Sequence, residues 1–512
     1  MGEPTRRRRL LAVATTLVSA AAVTLGLAPS SPATARPTGV AARPAKAKPA
    51  AVSTRGRWLV DRQGRTIYVH GLQIAHKTTP YHPPKKGVTA EDARIMKSLG
   101  INAVRLAWFW KGLEPRRGHF NMAYLHEIIR ELRVLTKNGL WVLLEFHQDD
   151  YNEAVHGAGF PDWATFTDGA PNTPDTLPGG AYMSDPALEA AFRNLWNNTD
   201  GVQDAMAQAW RVVARAAKPA AHGRLLGYDM FNEPWPGITF PLCLPPLGCA
   251  GADHNKLQPL QDKLALAIRK EDRTTPVVYE PFLLADFGAK SHLRKPPAGV
   301  GPAVFSFHDY CMISGATKKA DHDSQAFGYQ LCPTFDKMVY TNGIKTADSM
   351  GAAVLQGEFG DTQDMVEVER IMQLADSHLT GWMEWGYKDW IDYPGGIGDG
   401  DLFDNANDRS TMRQKMANTL ARPAPQLISG TPTSYSYDPT TGRMVLTWKP
   451  RKGVTAPTVL YVPVSRHYPH GYKVVVTHGR LLGKHVHPRR MRATHFKVRN
   501  TGGAVRLVLT RR

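Results

Sequence analysis

The chain has 512 residues, 42% of them hydrophobic and 21% charged, and its 63 Lys and Arg against 45 Asp and Glu leave a net charge of +18. These proportions belong to a soluble globular protein and exclude both a disordered chain and a polytopic membrane protein. The length accommodates a barrel of roughly 250 to 350 residues plus a second domain.

Taken in order, the chain opens with four arginines at positions 6–9, an apolar run over 10–27 and the small-residue triplet Ala33-Thr34-Ala35. This reads as a secretory signal over residues 1–35, so the protein is expected outside the cell, free or attached to its surface. The arginines suit a twin-arginine route as well as the general secretory one, and an uncleaved anchor is the remaining alternative. No later segment reaches the ~20 apolar residues a spanning helix needs. Export permits disulfides, and the four cysteines fall as two local pairs, Cys243 with Cys249 and Cys311 with Cys332. Four cysteines allow three connectivities, of which chain proximity favours the local one. Residues 36–55 read as an Ala/Pro/Lys-rich linker, with order expected from Trp58 in a small hairpin.

Short apolar runs then alternate with helix-like segments. Strands are expected over 67–72, 103–108, 141–146, 225–231, 277–280, 304–307, 352–357 and 381–385, with helices such as 91–99, 124–138, 202–217 and 257–271 between them. Runs without polar alternation are strands buried on both faces, and eight such βα units make an α/β fold, a (β/α)₈ TIM barrel over residues 56–421. Beyond Arg422-Pro423 the pattern changes to short alternating runs broken by Gly and Pro, a small C-terminal antiparallel β-sandwich domain over 422–512. From residue 451 onward this domain has no Asp or Glu. Nucleic-acid motifs are missing, so its basic face is either simply solvated or meets an anionic membrane or cell surface.

The chain is organised around Gly227 to Trp235, an apolar run that ends in Asn232-Glu233-Pro234. Parallel barrel strands bring their carboxyl ends to one rim, where chemistry sits. There the strands deliver Arg105, His147, Asp149, Asn232, Glu233, His308, Tyr310, Glu358 and Trp385. Alone, each has an ordinary explanation: a satisfied core histidine, a loop charge, an ion-pair partner, a packed tryptophan. Together they meet the needs of retaining glycoside hydrolysis, which uses two carboxyl groups roughly 5 to 5.5 Å apart. Glu233 is the expected acid and base, desolvated by its neighbours, and Glu358 the expected nucleophile. Arg105 and Tyr310 would favour the ionised form of Glu358, Asn232 would hold the sugar 2-hydroxyl, and Trp385 would floor the ring.

Asn232-Glu233-Pro234 after strand four and Gln356-Gly357-Glu358-Phe359-Gly360 after strand seven resemble glycoside hydrolase family five. Residues 74–81, His147-Gln148-Asp149-Asp150-Tyr151, 228–236, Arg422-Pro423 and Gly430-Thr431-Pro432 make the chain, from about Trp58 on, most similar to the endoglycoceramidases within it. The resemblance implies release of an intact oligosaccharide from ceramide, a glycosphingolipid substrate, catalysis by Glu233 and Glu358, and sugar contacts from Lys77 and Asp149. It assigns no role to Glu384. A polysaccharide endoglucanase or mannanase, a β-glucosidase, and a non-catalytic carbohydrate-binding protein are the competing readings. The loop over 238–249 is apolar and proline-rich directly after Glu233, where rim loops are normally polar, and so suits a lipid aglycone or a bilayer surface. No metal or other cofactor is expected: the acidic run over 399–408 lacks the spacing of a calcium loop, Asp321-His322-Asp323 reads as a solvated loop, and no phosphate-binding glycine motif follows a strand. A monomer is expected, with no nucleic-acid partner.

Overall fold

The structure, a computed structural model, describes residues 51–173, 181–310, 329–388, 390, 400–483 and 494–512. The expected signal therefore lies outside the described residues, as do Cys311, the 321–323 loop and Asp399. Among the described residues no helix is long and apolar enough to cross a membrane.

Three strands come first: β1 (Val52–Arg55), β2 (Trp58–Asp61) and β3 (Thr66–Ile67). The barrel follows, closed by β4 (His70–Ile74), β5 (Ala103–Trp108), β6 (Trp141–Phe146), β7 (Leu225–Asp229), β8 (Val277–Tyr279), β9 (Ala303–Asp309), β10 (Ala353–Phe359) and β11 (Gly381–Glu384), which pairs back onto β4. Every residue of β5, β6, β7, β9 and β10 is buried, as continuous apolar runs require of strands covered on both faces. Helices between them start and stop on local signals. Asn121 caps Met122–Lys137 by accepting from the Tyr124 amide, and Asn138-Gly139 ends it, Gly139 at φ 90°.

The barrel's first strand differs from the expected 67–72. Tyr68 donates its amide to the Gln426 carbonyl and Val69 accepts from the Trp382 amide, so the chain changes sheets there and barrel pairing begins at His70. A single apolar run thus serves two sheets. Nor is 52–55 linker: β1 pairs with β2 in register Val52 to Asp61, ahead of the expected start of order at Trp58. Val52 and Leu59 bury the inner face of this hairpin.

The C-terminal strands are β12 (Ala424–Ile428), β13 (Gly430–Asp438), β14 (Arg443–Pro450), β15 (Thr458–Tyr461), β16 (Tyr472–Thr477), β17 (Gly479–Leu482), β18 (His495–Asn500) and β19 (Val505–Arg511). They form two antiparallel sheets that enclose Tyr435, Leu446, Trp448, Phe496 and Leu507. One has four strands, β13-β14-β19-β16. The other has seven, because β1, β2 and β3 add to β12-β15-β18-β17 through β3 and β12. The hairpin expected to begin the barrel domain is therefore part of the sandwich.

Between barrel and sandwich, buried Arg422 donates to Asp376 Oδ2 at 2.6 Å and lies 5.2 Å from the Tyr437 ring centre, with Glu369 at 3.8 Å. Removing one partner of a buried pair leaves a charge uncompensated, a loss of about 3–5 kcal/mol. Asp376→Ala should lower the unfolding free energy in urea by about that amount, and Asp376→Leu with Arg422→Met should recover most of it. A loss below about 1 kcal/mol for the single variant would show that the pair does not hold the junction.

Candidate active site

Arg105, fully buried in β5, stands at the centre of the rim. Its Nε donates to Asp229 Oδ2 at 3.0 Å, Nη1 to Glu358 Oε2 at 2.7 Å, and Nη2 to Glu280 Oε1 at 2.7 Å and Asn232 Oδ1 at 2.9 Å. Glu145 Oε1 is 3.5 Å from Nη2. Burial and neighbouring Glu280 push Asp229 well above the carboxylate range. Burial acts on Glu280 too, but His308 and Arg105 outweigh it and bring Glu280 down to about 2.

The two glutamates face each other across this centre. Glu233 sits in the left-handed region, φ 42°, a conformation that costs a non-glycine residue about 1–3 kcal/mol and persists only where its surroundings impose it. The surroundings do so: its amide donates to Glu280 Oε2 at 3.0 Å, and Gln148 Nε2 donates to the Asn232 and Glu233 carbonyls at 2.9 and 3.0 Å. Glu358 leaves β10 at a register shift beside Gly357, where any Cβ would meet Ser306 Oγ. Tyr310 donates its hydroxyl to Glu358 Oε1 at 2.7 Å. A carboxylate oxygen of Glu233, one of Glu358 and a ring nitrogen of His308 all lie within 4.8 Å of one another. That is the separation a retaining pair needs.

Arg105 and Tyr310 contact Glu358 as anticipated, yet burial, reinforced by Glu233, outweighs His308 and Arg105 and moves it upward. His308 Nδ1 lies 2.7 Å from Glu233 Oε1; burial disfavours its charge, but Glu280 and Glu358 raise it well above an ordinary histidine. Two carboxylates and an imidazole are also types of metal ligand, but here Glu280 and Glu358 favour the charged form of the ring and Arg105 already pairs with Glu358 at 2.7 Å.

A second cluster lines one side of the gap. Lys77 Nζ is 3.0 Å from Asp149 Oδ2 and 4.2 Å from the centre of the Trp385 ring. His147 stacks on Trp385 at 5.3 Å and 26°, with Nδ1 2.5 Å from Glu145 Oε1 and Nε2 3.1 Å from Asp149 Oδ2. Burial opposes the His147 charge, but Glu145 and Asp149 raise it to about 10. Burial also opposes the Asp149 charge, which Lys77 and His147 hold well below the usual range. Asn232 is gripped at both ends, Oδ1 by Arg105 and Nδ2 by the Gln148 carbonyl at 3.0 Å. Trp385 bridges to Gly360, extending β11 one residue into the site.

The rim thus assembles all ten side chains anticipated for catalysis and sugar contact. Cys243 and Cys249 are joined, and Cys332 is disulfide-bonded, its expected partner lying outside the described residues. Glu384 points away from this cluster: it is fully buried beside Gly360, neither oxygen has a hydrogen-bond partner among the described residues, and burial with Asp401 nearby raises it well up. In the acidic run, Asp404 pairs with Arg413 at 2.5 Å and Asp408 caps the turn Arg409–Thr411. Sequence reasoning missed Glu145, Asp229, Gln148, Glu280 and Asp286. For Glu145, Asp229 and Glu280 the signal was a charge inside or at the end of an apolar strand, plainest for Glu280 closing strand five; Gln148, which is uncharged, and Asp286, in the turn Leu283–Phe287, had none.

The family described as cellulase (glycosyl hydrolase family 5) matches residues 60–389, and the glycoside hydrolase family 5 C-terminal domain matches 422–507. Endoglycoceramidase I of Rhodococcus hoagii is 32% identical over 83% of this chain and 82% of its own. Endoglycoceramidase of Cyanea nozakii is 28% identical over 83% and 86%. Among solved structures, endo-glycoceramidase II from Rhodococcus sp. in complex with ganglioside GM3 superposes with TM-score 0.73 at 26% identity, over 90% of this chain and 100% of that one. The same enzyme has been captured as a lactosyl-enzyme intermediate, with TM-score 0.72.

The raised His147 gives a measurable pH dependence. Its stabilising contribution is complete below the ordinary value of 6.5 and is lost as pH rises toward about 10. Across that window the unfolding free energy of His147→Gln should fall less steeply than that of the unmodified protein. Parallel curves would mean the ring is neutral in the fold.

Proposed function

We propose that this chain, which belongs to glycoside hydrolase family 5 and is a retaining O-glycoside hydrolase, is a secreted endo-β-glycosidase that cuts between the oligosaccharide and the ceramide of glycosphingolipids. The carrying observation is the placement of Glu233 and Glu358 within 4.8 Å of each other beside an exposed apolar loop. In the first half-reaction Glu233 protonates the departing oxygen while Glu358 attacks the anomeric carbon, giving a covalent glycosyl-enzyme. In the second, Glu233 deprotonates a water that displaces Glu358. Arg105 and Tyr310 hold the Glu358 carboxylate in line. Lys77, His147 and Asp149 present donors and acceptors to sugar hydroxyls above the Trp385 face, and Asn232 has one amide hydrogen left for the 2-hydroxyl.

The lipid half of the substrate rests on the loop that starts five residues past Glu233. Ile238, Leu242 and Leu247 are 75%, 77% and 69% exposed, in a segment pinned by the Cys243–Cys249 disulfide. Clustered exposed aliphatics next to a leaving-group site suit acyl chains or a bilayer surface better than a polysaccharide. Phe240 is different: it packs on Trp235 with ring centres 5.2 Å apart and belongs to the loop's support. The similarity to endoglycoceramidases and the N-terminal signal pattern support the substrate class and the secretion.

Lactosylceramide should yield intact lactose and ceramide by mass spectrometry, and Glu358→Gln should lower that turnover by roughly 10³-fold or more. Release of galactose alone would replace the endo-glycosidase with an exo-acting one. Changing Ile238, Leu242 and Leu247 together to Ser should cut activity on micellar glycolipid at least about tenfold while sparing a soluble aryl lactoside, because burying one such side chain is worth about 1.5–3 kcal/mol. Equal loss on both substrates would remove the loop from lipid recognition.

A further inference from the structure

Behind the acid/base lies a carboxyl that the mechanism above does not use. Asp286 sits in the turn Leu283–Phe287 after β8, with 2% of its surface exposed. The turn is fastened to both sides of the site: the Leu283 amide donates to the Pro234 carbonyl at 3.0 Å, and the Tyr310 amide to the Asp286 carbonyl at 3.4 Å. A side-chain hydrogen bond joins Asp286 to Glu233, while Asp286 Oδ2 has no partner among the described residues. Carboxylates only accept, so two carboxyls in one hydrogen bond must hold a proton between them.

We propose that Asp286 is a positioning residue for the acid/base, a second carboxyl that shares a proton with Glu233 and orients it toward the scissile oxygen. This rests on the reading of Glu233 as acid/base. The groups facing the pair are His308, whose Nδ1 is 2.7 Å from Glu233 Oε1; Glu280, which accepts the Glu233 amide; and Glu358 across the gap, held by Arg105 and Tyr310. Cationic His308 draws protons off the pair. Mutual repulsion of two contacting carboxylates resists the last loss, so one proton stays near neutrality. Burial, with Glu233 adding to it, accordingly drives Asp286 far above the ordinary carboxyl range, against His308. In the first step the Glu233 O–H bond breaks as the departing oxygen gains the proton and the glycosidic C–O bond opens. Both carboxyls of the pair are then ionised, and their repulsion makes Glu233 the stronger base for the second step. In the second step water gives a proton back to Glu233 as its oxygen bonds the anomeric carbon and the Glu358 ester breaks, so Asp286 ends as it began.

The test is the pH dependence of kcat/KM on two aryl β-lactosides, one with a poor leaving group that needs an acid and one dinitrophenyl lactoside that does not. In Asp286→Asn the alkaline limb on the poor leaving group should move down by about one pH unit. The loss should also be larger there than on the activated substrate. Asp286→Ser, which also lacks the second carboxyl, should move the limb the same way, so the result does not hang on one variant folding. A limb that superimposes on the unmodified enzyme, or equal losses on both lactosides, overturns the proposal. Failure of the unmodified enzyme to hydrolyse either lactoside would instead sink the glycosidase reading.

Discussion

Everything at the rim depends on one guanidinium that water does not reach. Arg105 leaves the middle of β5 and contacts carboxyls delivered by β6, β7, the end of β8 and β10, with Asn232 between them. Without it those acids would be buried like charges in contact, and the barrel mouth could not close around them. With it, Asp229 is pushed up, Glu280 is held down, and Glu233 and Glu358 are set opposite each other. The Arg105 fork also fixes geometry, since a point charge such as lysine could not address five acceptors from one plane.

The same network explains why the backbone at Glu233 tolerates its unfavourable φ. Glu280 accepts the Glu233 amide with one oxygen and binds Arg105 with the other, so the carboxyl that stabilises the strained residue is itself held by the central cation. Gln148 clamps the carbonyls of the two peptides that flank the Glu233 α-carbon. Electrostatics and strain are therefore one construction, and His308 closes it by touching Glu233 while lying 3.5 Å from Glu280. Preorganisation of this kind lets charge develop in the transition state without the protein having to rearrange.

Much of this was legible in the sequence because parallel barrel strands are read directly as apolar runs, and their ends can be enumerated. Glu233, Glu358 and Asp149 were found that way, whereas Lys77 came from the family resemblance of residues 74–81. Glu145 and Asp229 were not, because a charge inside a strand breaks the very pattern used to find strands, and nothing local says which cation neutralises it. Glu280 could have been found, for it closes strand five as Glu358 follows strand seven. Two errors share another cause. Residues 52–55 and 66–67 belong to a sheet completed by β12, more than 350 positions later, and pairing at that distance leaves no local mark. Phe240 in turn looked like its aliphatic neighbours, and only packing against Trp235 separates them.

That long-range pairing also bears on the basic charge of the last domain. β18 alternates exposed His495, Lys497 and Arg499 with buried Phe496 and Val498, and β16 alternates exposed Lys473 with buried Tyr472 and Val474. These cations thus lie on the outer face of sandwich strands whose inner face is fixed by the core. Because β3 inserts against β12, the N-terminal hairpin covers an edge that would otherwise present unpaired backbone. The sandwich is consequently not an appendage that could be trimmed from the barrel. It shares a sheet with the strands that lead into the barrel, so a basic surface and the carboxyl-lined rim are carried on one continuous framework, from Val52 to Arg511.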